Sequence, residues 1–406
     1  MRKVKFENTL SYFIPNHGPP KISIRIPESH TLYVCPSACG RRQAIRAFNN
    51  GEKNHVSFLY ITEADVVSGH YEEIIGDAVE ELLVMLESTP KALAIYFNCI
   101  DDFLGTDEQS LLSRLELRFP SLRFMLCHIN PVAADQKIPP GMRLHNQLYS
   151  FLEYSGKKDD GINLIGNYVP LDPESEIFSV LAGWGIRQVR QIIACATFAQ
   201  YRQLADSRAN LVLMPMGRLA AENMAKKLDI PYFFNPISYD IDEVQRNYQS
   251  IASLIDRECP DFSLEIAKTR SSIQQALEQV GEMPIIVDSS ATMQPFALAR
   301  ALYRYGFQVK AVFAQHIKDL DLADRDWLVE NCPRIQIIST KSYEAILGFG
   351  FEQKCLTVGF DCAYTLHARH FVNVRHDETF YGFHGIRKLM RLMRQALDRQ
   401  AQWRHL

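Results

Sequence analysis

The chain has 406 residues, of which 47% are hydrophobic and 22% are charged. This length predicts two or three domains, and this composition is typical of a soluble globular protein. The 44 basic and 47 acidic side chains give a formal net charge of -3. We therefore expect neither nucleic acid nor a membrane as a partner, because both favour a basic surplus. The sequence has no apolar run of signal-peptide or bilayer length, which predicts a cytoplasmic protein.

Short apolar runs alternate with amphipathic stretches in the first part of the chain. The runs that predict strands are TLYVC (31–35), HVSFLYIT (55–62), ALAIYFNC (92–99) and RFMLCHI (123–129). Between them, residues 70–88 and 108–118 have the apolar spacing of helices. Strands that alternate with helices predict right-handed βαβ units, and hence a parallel sheet with helices on both faces.

The same alternation starts again twice. A strand at 161–169 is followed by a helix whose start we place at Asp172-Pro173-Glu174, with a capping carboxylate and a proline in the first turn. A third series of strands begins with PIIVDSS (284–290). The final helix has an apolar face and a basic face, and we expect the basic face to be solvated.

The cysteines carry the strongest signal for chemistry. Nine cysteines in a long cytosolic chain favour metal binding or simple burial over a disulfide framework. In open parallel sheets, ligands bind beyond the carboxyl ends of the strands. This rule selects Cys35, Cys39 one helical turn later, and Cys99, together with Cys127 and His128. Soft thiolates suit an iron–sulfur cluster or zinc. The alternative that the C-x₃-C spacing is coincidental and that Cys99 is a core residue stays open.

Several well-known motifs are absent from the sequence. We find no zinc-finger spacing, no H-E-x-x-H, and no G-x-G-x-x-G that follows the first strand. There is also no Walker A lysine loop and no G-x-S-x-G elbow. The sequence therefore indicates neither dinucleotide binding, nor direct ATP binding, nor a serine hydrolase.

Five segments resemble the nitrogenase component 1 family, and they follow one another in the family's order. They are LYVCPSACGRRQA, ITEADVVSGHYEEIIGDAVEEL, PKALAIYFNCIDDFLGTD, INLIGNY and FYGFHGIRKLM. The resemblance implies an α/β fold of three Rossmann-like domains with parallel sheets, and a C-terminal helix that packs back on the first domain. The expected domains are 1–156 together with 373–406, then 157–275, then 276–372.

The resemblance also implies a function and a set of partners. The chain would be a nitrogenase-like oxidoreductase subunit with an iron–sulfur cluster, 4Fe–4S or P-cluster-like, shared with a homologous subunit in a heterodimer or heterotetramer. Electrons would come from an ATP-dependent iron protein. Cys39 and Cys99 match the family's cluster ligands. The family's N-terminal cysteine is absent from residues 11–24, and Cys35 is expected to supply the missing thiolate.

The residues that would define a substrate site are less distinct. His145, Arg46 and His376 are the weak catalytic candidates that position suggests. The cysteine that binds the catalytic cofactor in nitrogenase α subunits falls near Ala221, which favours a β-like subunit or a different substrate. Two other functions stay open: a non-catalytic scaffold for the assembly of a nitrogenase-type cluster, and a metal-free protein that binds a small ligand between its domains.

Overall fold

The structure is a computed structural model that describes residues 25–49, 51–129, 138–314, 317–339, 355–374 and 376–398. The chain divides into two compact units, each built from separate segments. The first unit takes its described residues from Lys21–Pro170 and Gly185–Pro236, and the second from Leu171–Trp184 and Ile237–Leu406.

The first unit opens with a four-stranded parallel sheet. Its strands are β1 (Ser29–Cys35), β2 (Val56–Tyr60), β3 (Ala92–Asn98) and β4 (Arg123–Ile129), in the order β2-β1-β3-β4. The accompanying helices are α1 (Ser37–Asn49), α2 (Glu63–Val67), α3 (Glu73–Met85), α4 (Cys99–Leu104), α5 (Glu108–Arg118) and α6 (Pro140–Gln147). One face of the sheet buries leucine, isoleucine and phenylalanine side chains against α3 and α5, as the alternation of side chains along a strand requires.

A second parallel sheet completes the first unit. Its strands are β5 (Ile162–Ile165), β6 (Val189–Arg190), β7 (Ala209–Val212) and β8 (Tyr232–Phe234), in the order β6-β5-β7-β8. The helices α8 (Phe198–Arg202) and α9 (Arg218–Leu228) belong to this part. Met125 and Cys127 on the other face of the first sheet share a buried cluster with Ile165 and Met224.

The second unit contains a five-stranded parallel sheet. Its strands are β9 (Ile285–Asp288), β10 (Val309–Phe313), β11 (Gln336–Ile338), β12 (Leu356–Val358) and β13 (His370–Val372), in the order β11-β10-β9-β12-β13. Its helices are α7 (Glu176–Gly183), α10 (Ile241–Leu254), α11 (Ser263–Val280), α12 (Pro295–Arg304), α13 (Leu322–Asn331), α14 (Phe360–Thr365) and α15 (Gly382–Leu397). This strand order is that of a doubly wound dinucleotide-binding sheet.

The basic face of α15 is not simply solvated, so that expectation is wrong. Arg387 Nη1 lies 2.7 Å from Glu265 Oε2 and donates to Thr269 Oγ1 at 3.1 Å, both on α11. Lys388 Nζ lies 2.6 Å from Asp172 Oδ2. The long side chains therefore fix α15 within its own unit, while its apolar face is buried.

The α/β class and the parallel sheets predicted from the sequence are confirmed. The helix predicted to start at Asp172 begins at Glu176 instead, because the Glu174 N–H donates to Asp172 Oδ1 and forms a turn. The domain boundaries and the packing of the C-terminal helix on the first domain stay predictions.

Candidate functional site

The strand order of the first sheet marks one place for a ligand. In the order β2-β1-β3-β4, the strand that follows β1 in the chain, β2, lies on one side of β1. The next strands, β3 and β4, lie on the other side, so the direction in which strands are added reverses between β1 and β3. Sheets of this kind bind ligands where the order reverses, outside the carboxyl ends of the two central strands. Here those strands are β1 and β3, which are paired in register from Ser29 opposite Ala92 to Val34 opposite Phe97. Cys35 ends β1, and Cys99 follows directly after β3.

Cys39 lies in the first turn of α1, as the sequence predicts. The N–H groups of Cys39 and Gly40 both donate to the carbonyl of Pro36, at 3.0 and 3.1 Å. These bonds close the turn that follows β1, and they leave the Cys39 side chain exposed.

Cys35 has a different environment although it is only four residues away. Its side chain is 4% exposed, and a Cβ atom added to Gly40 would lie 3.1 Å from its Sγ and 2.7 Å from Tyr60 Cε1. The glycine thus allows α1 to pass close over Cys35. Burial, with a smaller contribution from Cys39, raises the pKa of Cys35 to about 11. Cys35 is therefore a protonated, enclosed thiol near neutral pH.

Cys99 is the first residue of α4 and is partly buried. The residue before it, Asn98, is the N-cap of α4 but makes no side-chain capping bond. Both polar atoms of the Asn98 amide are buried and lack a hydrogen-bond partner among the described residues. Orphaned polar groups of this kind are rare in folded proteins, so the end of β3 has unused hydrogen-bonding capacity.

His128, near the end of β4, lies among carboxylates. Its Nε2 is 3.2 Å from Glu108 Oε1, and its Nδ1 is 3.5 Å from Asp101 Oδ2 and 3.6 Å from Asp102 Oδ1. The pKa of His128 is raised, chiefly by the Glu108 carboxylate. The strand-end rule selects His128, but it misses the three acids, because they lie on helices α4 and α5. In the sequence, the adjacent acids Asp101 and Asp102 shortly after Cys99 are the feature that could have predicted this acidic surrounding.

The sulfur atoms of the three predicted cysteine ligands do not form a group within 4.8 Å of one another. Within the described part of the chain, the one group of three ligand atoms within 4.8 Å of one another belongs to Asp172, Glu174 and His384. The ligands of a single metal ion must lie that close, whereas thiolates on different irons of a cluster are farther apart. Cys35, Cys39 and Cys99 therefore do not form a three-ligand site for a single ion among the described residues.

The group formed by Asp172, Glu174 and His384 is already balanced by a cation. Lys388 Nζ and His384 Nε2 both approach Asp172 Oδ2, at 2.6 and 3.2 Å. Burial acts to raise the pKa of Asp172, but hydrogen bonds from Lys388 and the Glu174 N–H outweigh it and lower the pKa to about 2. This group is a salt-bridge network that fixes α15.

A family comparison matches residues 21–398 to the nitrogenase component 1 type oxidoreductases. The chain belongs to this family. Among solved structures, it is similar to nitrogenase Cp1 at pH 6.5, with 15% identity, a TM-score of 0.71, and coverage of 92% of this chain and 89% of that one. It is also similar to nitrogenase Cp1 at pH 5, with 13% identity, a TM-score of 0.59, and coverage of 92% and 85%. No curated protein matches the chain.

Members of the nitrogenase component 1 family typically bind iron–sulfur clusters and work with homologous subunits and an iron protein. The segment in which the resemblance implies a further ligand, residues 11–24, lies outside the described residues. None of the described helices combines the length and the apolar character that crossing a bilayer requires.

The weak catalytic candidates, His145, Arg46 and His376, lie in three different segments of the chain. His145, on α6, is fully buried between Tyr149 and Tyr168, with both ring nitrogens unpartnered among the described residues. Burial lowers its pKa to about 4, so it is a neutral core histidine near pH 7. Arg46 is exposed on α1. His376 is exposed, with a φ of 55°, and its N–H donates to the Ser290 carbonyl.

Ala221 is fully buried within α9. The resemblance puts the cofactor cysteine of nitrogenase α subunits near this position, where the chain has only a methyl group packed in the core. The described residues near this position therefore provide no thiolate for a catalytic cofactor.

Proposed function

We propose that this chain is a subunit of a nitrogenase-like reductase, in which Cys39 and Cys99 hold an iron–sulfur cluster. The observation that carries the proposal is the position of both cysteines at the reversal point of the first sheet, in a chain that the family matches over residues 21–398. The bound cluster would supply electron transfer. The chain's own residues would bind the cluster, orient it and limit its contact with water.

The chemistry of the donors supports a cluster at this edge. Thiolates are the usual ligands of iron–sulfur clusters, and hydrogen bonds to the sulfurs tune their reduction potentials. The unpartnered amide of Asn98 lies next to Cys99 and is available for such a bond. Cys39 is accessible, whereas Cys35 would have to lose its proton against a pKa of about 11. We therefore rank Cys35 below the other two as a ligand.

Two or three cysteines are fewer than the four that a cluster usually takes, so a partner is expected to complete the site. Large apolar side chains are exposed on both helices that carry the ligands. Phe48 on α1 is 70% exposed, and Phe103 on α4, one turn beyond Cys99, is 80% exposed. Aromatic residues are enriched at protein interfaces. These side chains support an interface with a homologous subunit, in a heterodimer or heterotetramer.

The proposed source of electrons is an ATP-dependent iron protein, as in the family. The substrate class stays open, because the described residues contain no thiolate near Ala221 for a catalytic cofactor. That same observation favours one second candidate function, a scaffold on which a nitrogenase-type cluster is assembled and then transferred.

Iron analysis of the anaerobically purified complex tests the proposal. We expect iron and acid-labile sulfide in the wild type and a severe loss of both in Cys39→Ser and Cys99→Ser. Cys259→Ser is the matched control, because Cys259 is also an exposed thiol but lies far along the chain. An iron-free complex, or full iron content in both ligand variants, would contradict the proposal.

Turnover separates the reductase from the scaffold. With the iron protein, ATP and a low-potential reductant, a reductase should oxidise the reductant continuously when it is supplied with its substrate. A scaffold should instead lose its cluster to an apo-acceptor without sustained consumption of reductant. In both cases the iron content of Cys39→Ser should be low.

A further inference from the structure

A cavity of about 280 Å³ lies against the first sheet, on the face opposite α3 and α5. Small side chains create it, because Ala92 and Ala94 of β3 and Thr31 of β1 leave space that larger residues would fill. The cavity is bounded by the last turns of α1, by Leu148 and by neighbouring residues. Its volume is just below the roughly 300–1,000 Å³ of ordinary ligand pockets, which suits a molecule of one or two rings.

Aromatic rings form the walls of this cavity. Tyr33 and Tyr96 pack against each other with ring centroids 5.2 Å apart, and both line the space. Phe151 and Tyr168 line it as well. Flat rings around a small apolar space favour a flat, aromatic occupant, since offset and edge-to-face ring pairs add to the energy of burial.

The charged residues that line the cavity are mainly cationic. Arg25 and Arg46 provide two guanidinium groups against the single carboxylate of Glu52. His55 also lines the cavity, and its pKa is lowered by burial and by the charge of Arg25. His55 is therefore neutral near pH 7, in a region whose potential is positive. An anionic group would be stabilised there.

Arg25 has unused hydrogen-bonding capacity. Its Nη1 is buried and has no hydrogen-bond partner among the described residues. A buried charged donor without a partner is costly, and a bound anion would remove that cost. Guanidinium groups are also well suited to carboxylates, which they bind through parallel hydrogen bonds.

We propose that this cavity is a second ligand site that binds a small aromatic carboxylate, with its ring against Tyr33 and Tyr96 and its carboxylate on Arg25. The lining residues run along one face of the sheet, from Ser29 to Tyr33 on β1 and from Ala92 to Tyr96 on β3. No cysteine is among the described residues that line the cavity, so binding there does not require the proposed cluster.

Calorimetric titration of the purified full chain with three probes tests this site. The probes are 2-naphthoate, its neutral counterpart 2-naphthalenemethanol, and cyclohexanecarboxylate, which is anionic but not aromatic. We expect saturable one-site binding of 2-naphthoate and at least about tenfold weaker binding of 2-naphthalenemethanol, since one charge-assisted hydrogen bond is of about this strength. Cyclohexanecarboxylate keeps the charge but loses the ring contacts, so it should also bind more weakly than 2-naphthoate. Equal affinity for the neutral probe, or no saturable binding of 2-naphthoate, would overturn the proposal.

Single substitutions test whether 2-naphthoate binds in this cavity. Arg25→Met should weaken 2-naphthoate about tenfold or more and leave 2-naphthalenemethanol unchanged, since only the charge is lost. Arg202→Met, a change at an exposed arginine of the same unit, should alter neither. Ala94→Val, which adds methyl groups to the cavity wall, should weaken both aromatic probes. Thermal melts verify that each variant is folded, and unchanged naphthoate affinity in folded Arg25→Met would contradict the proposal.

Discussion

Glu176 and Phe383 lie 207 positions apart, yet the Phe383 N–H donates to Glu176 Oε1 at 2.6 Å. The other carboxylate oxygen accepts from the N–H of His384 at 2.9 Å, and the Tyr248 hydroxyl donates to Oε1 at 2.9 Å. A carboxylate on α7 thus caps the amino end of α15 in place of a local residue. The cap ties the last described helix to a segment more than half the chain earlier.

Replacing the capping carboxylate should destabilise the second unit. We expect Glu176→Ala to lower the free energy of unfolding by about 1–3 kcal/mol, because two N–H groups and a buried hydroxyl lose their acceptor. Urea denaturation followed by circular dichroism measures the change. Glu282→Ala, at an exposed acid after α11, is the control and should change stability little. Equal effects of the two variants would exclude a role for the cap.

The glycine before Phe383 is required for the same contact. Gly382 has a φ of 69°, and a Cβ atom there would overlap with Glu176 Oε1. Gly105 has almost the same φ, 70°, but no atom within 4 Å of such a Cβ. We expect Gly105→Ala to cost about 1–2 kcal/mol for the backbone alone, and Gly382→Ala to cost about 1–3 kcal/mol more, because of overpacking.

A double-mutant cycle separates the two causes in Gly382→Ala. In the Glu176→Ala background the overlap with the carboxylate is absent and the Tyr248 hydroxyl, 2.8 Å from such a Cβ atom, remains. Gly382→Ala should therefore cost less than it does in the wild type, and its cost should approach that of Gly105→Ala. Chemical denaturation of the four proteins in the cycle gives the coupling energy. Strict additivity would show that the backbone, and not the carboxylate, requires the glycine.

The pairing of His128 with Glu108 should make stability depend on pH. The pKa of His128 is raised, so its contribution is complete below the unfolded value of about 6.5 and is lost as pH rises through the folded value. The pKa of Glu108 is lowered, mainly by His128, so its contribution persists below its ordinary value. The destabilisation caused by His128→Gln should therefore be largest near about pH 5–6 and should shrink above about pH 7.

Glu108→Gln provides the control for this pH profile. If the Glu108 carboxylate causes the effect, its removal should remove most of the pH dependence. In the Glu108→Gln background, the loss of unfolding free energy caused by His128→Gln should therefore change little between about pH 5 and 8. Unfolding free energies measured at several pH values across this range are sufficient. A profile for His128→Gln that is flat in the wild-type background would contradict the assigned pair.

The environments of the cysteines predict their order of reaction in the cluster-free chain. Cys39 is exposed and should react with iodoacetamide first, whereas Cys35 is buried with a pKa of about 11 and should react slowly at about pH 8. Cys355 is a matched slow control, since it is also buried with a pKa of about 11. Peptide mass spectrometry over time gives the rates. Equal rates for Cys35 and Cys39 would contradict the enclosed position of Cys35.

Much of the fold could be predicted because apolar periodicity and burial go together. The helix predicted over residues 108–118 is α5, and each series of predicted strands forms one parallel sheet. Short elements were missed for physical reasons. α4 is six residues long and follows β3 without a break, so its residues look like the end of a strand. β13 is three residues long, too short to establish a period.

In the candidate site, too, local features could be predicted from the sequence and long-range contacts could not. The strand-end rule selects the cysteines from the sequence alone, because the end of a strand is a local property of the sequence. It could not separate Cys35 from Cys39, because their difference depends on the close approach of α1 at Gly40, where Cys35 is buried and Cys39 stays exposed. The long-range cap by Glu176 was equally invisible, since no local pattern relates it to Phe383.

The interleaved order of the two compact units has a consequence for synthesis. The described part of the first unit ends at residue 236, so its two sheets can be complete while the ribosome is still translating the rest. The Glu176 carboxylate, in contrast, has to wait until residues 383 and 384 have emerged. At about 5–20 residues per second, this delay leaves residues 171–184 without their contacts to α15 for roughly ten seconds or more. A nascent-chain chaperone that acts on this protein would have this interval in which to bind residues 171–184.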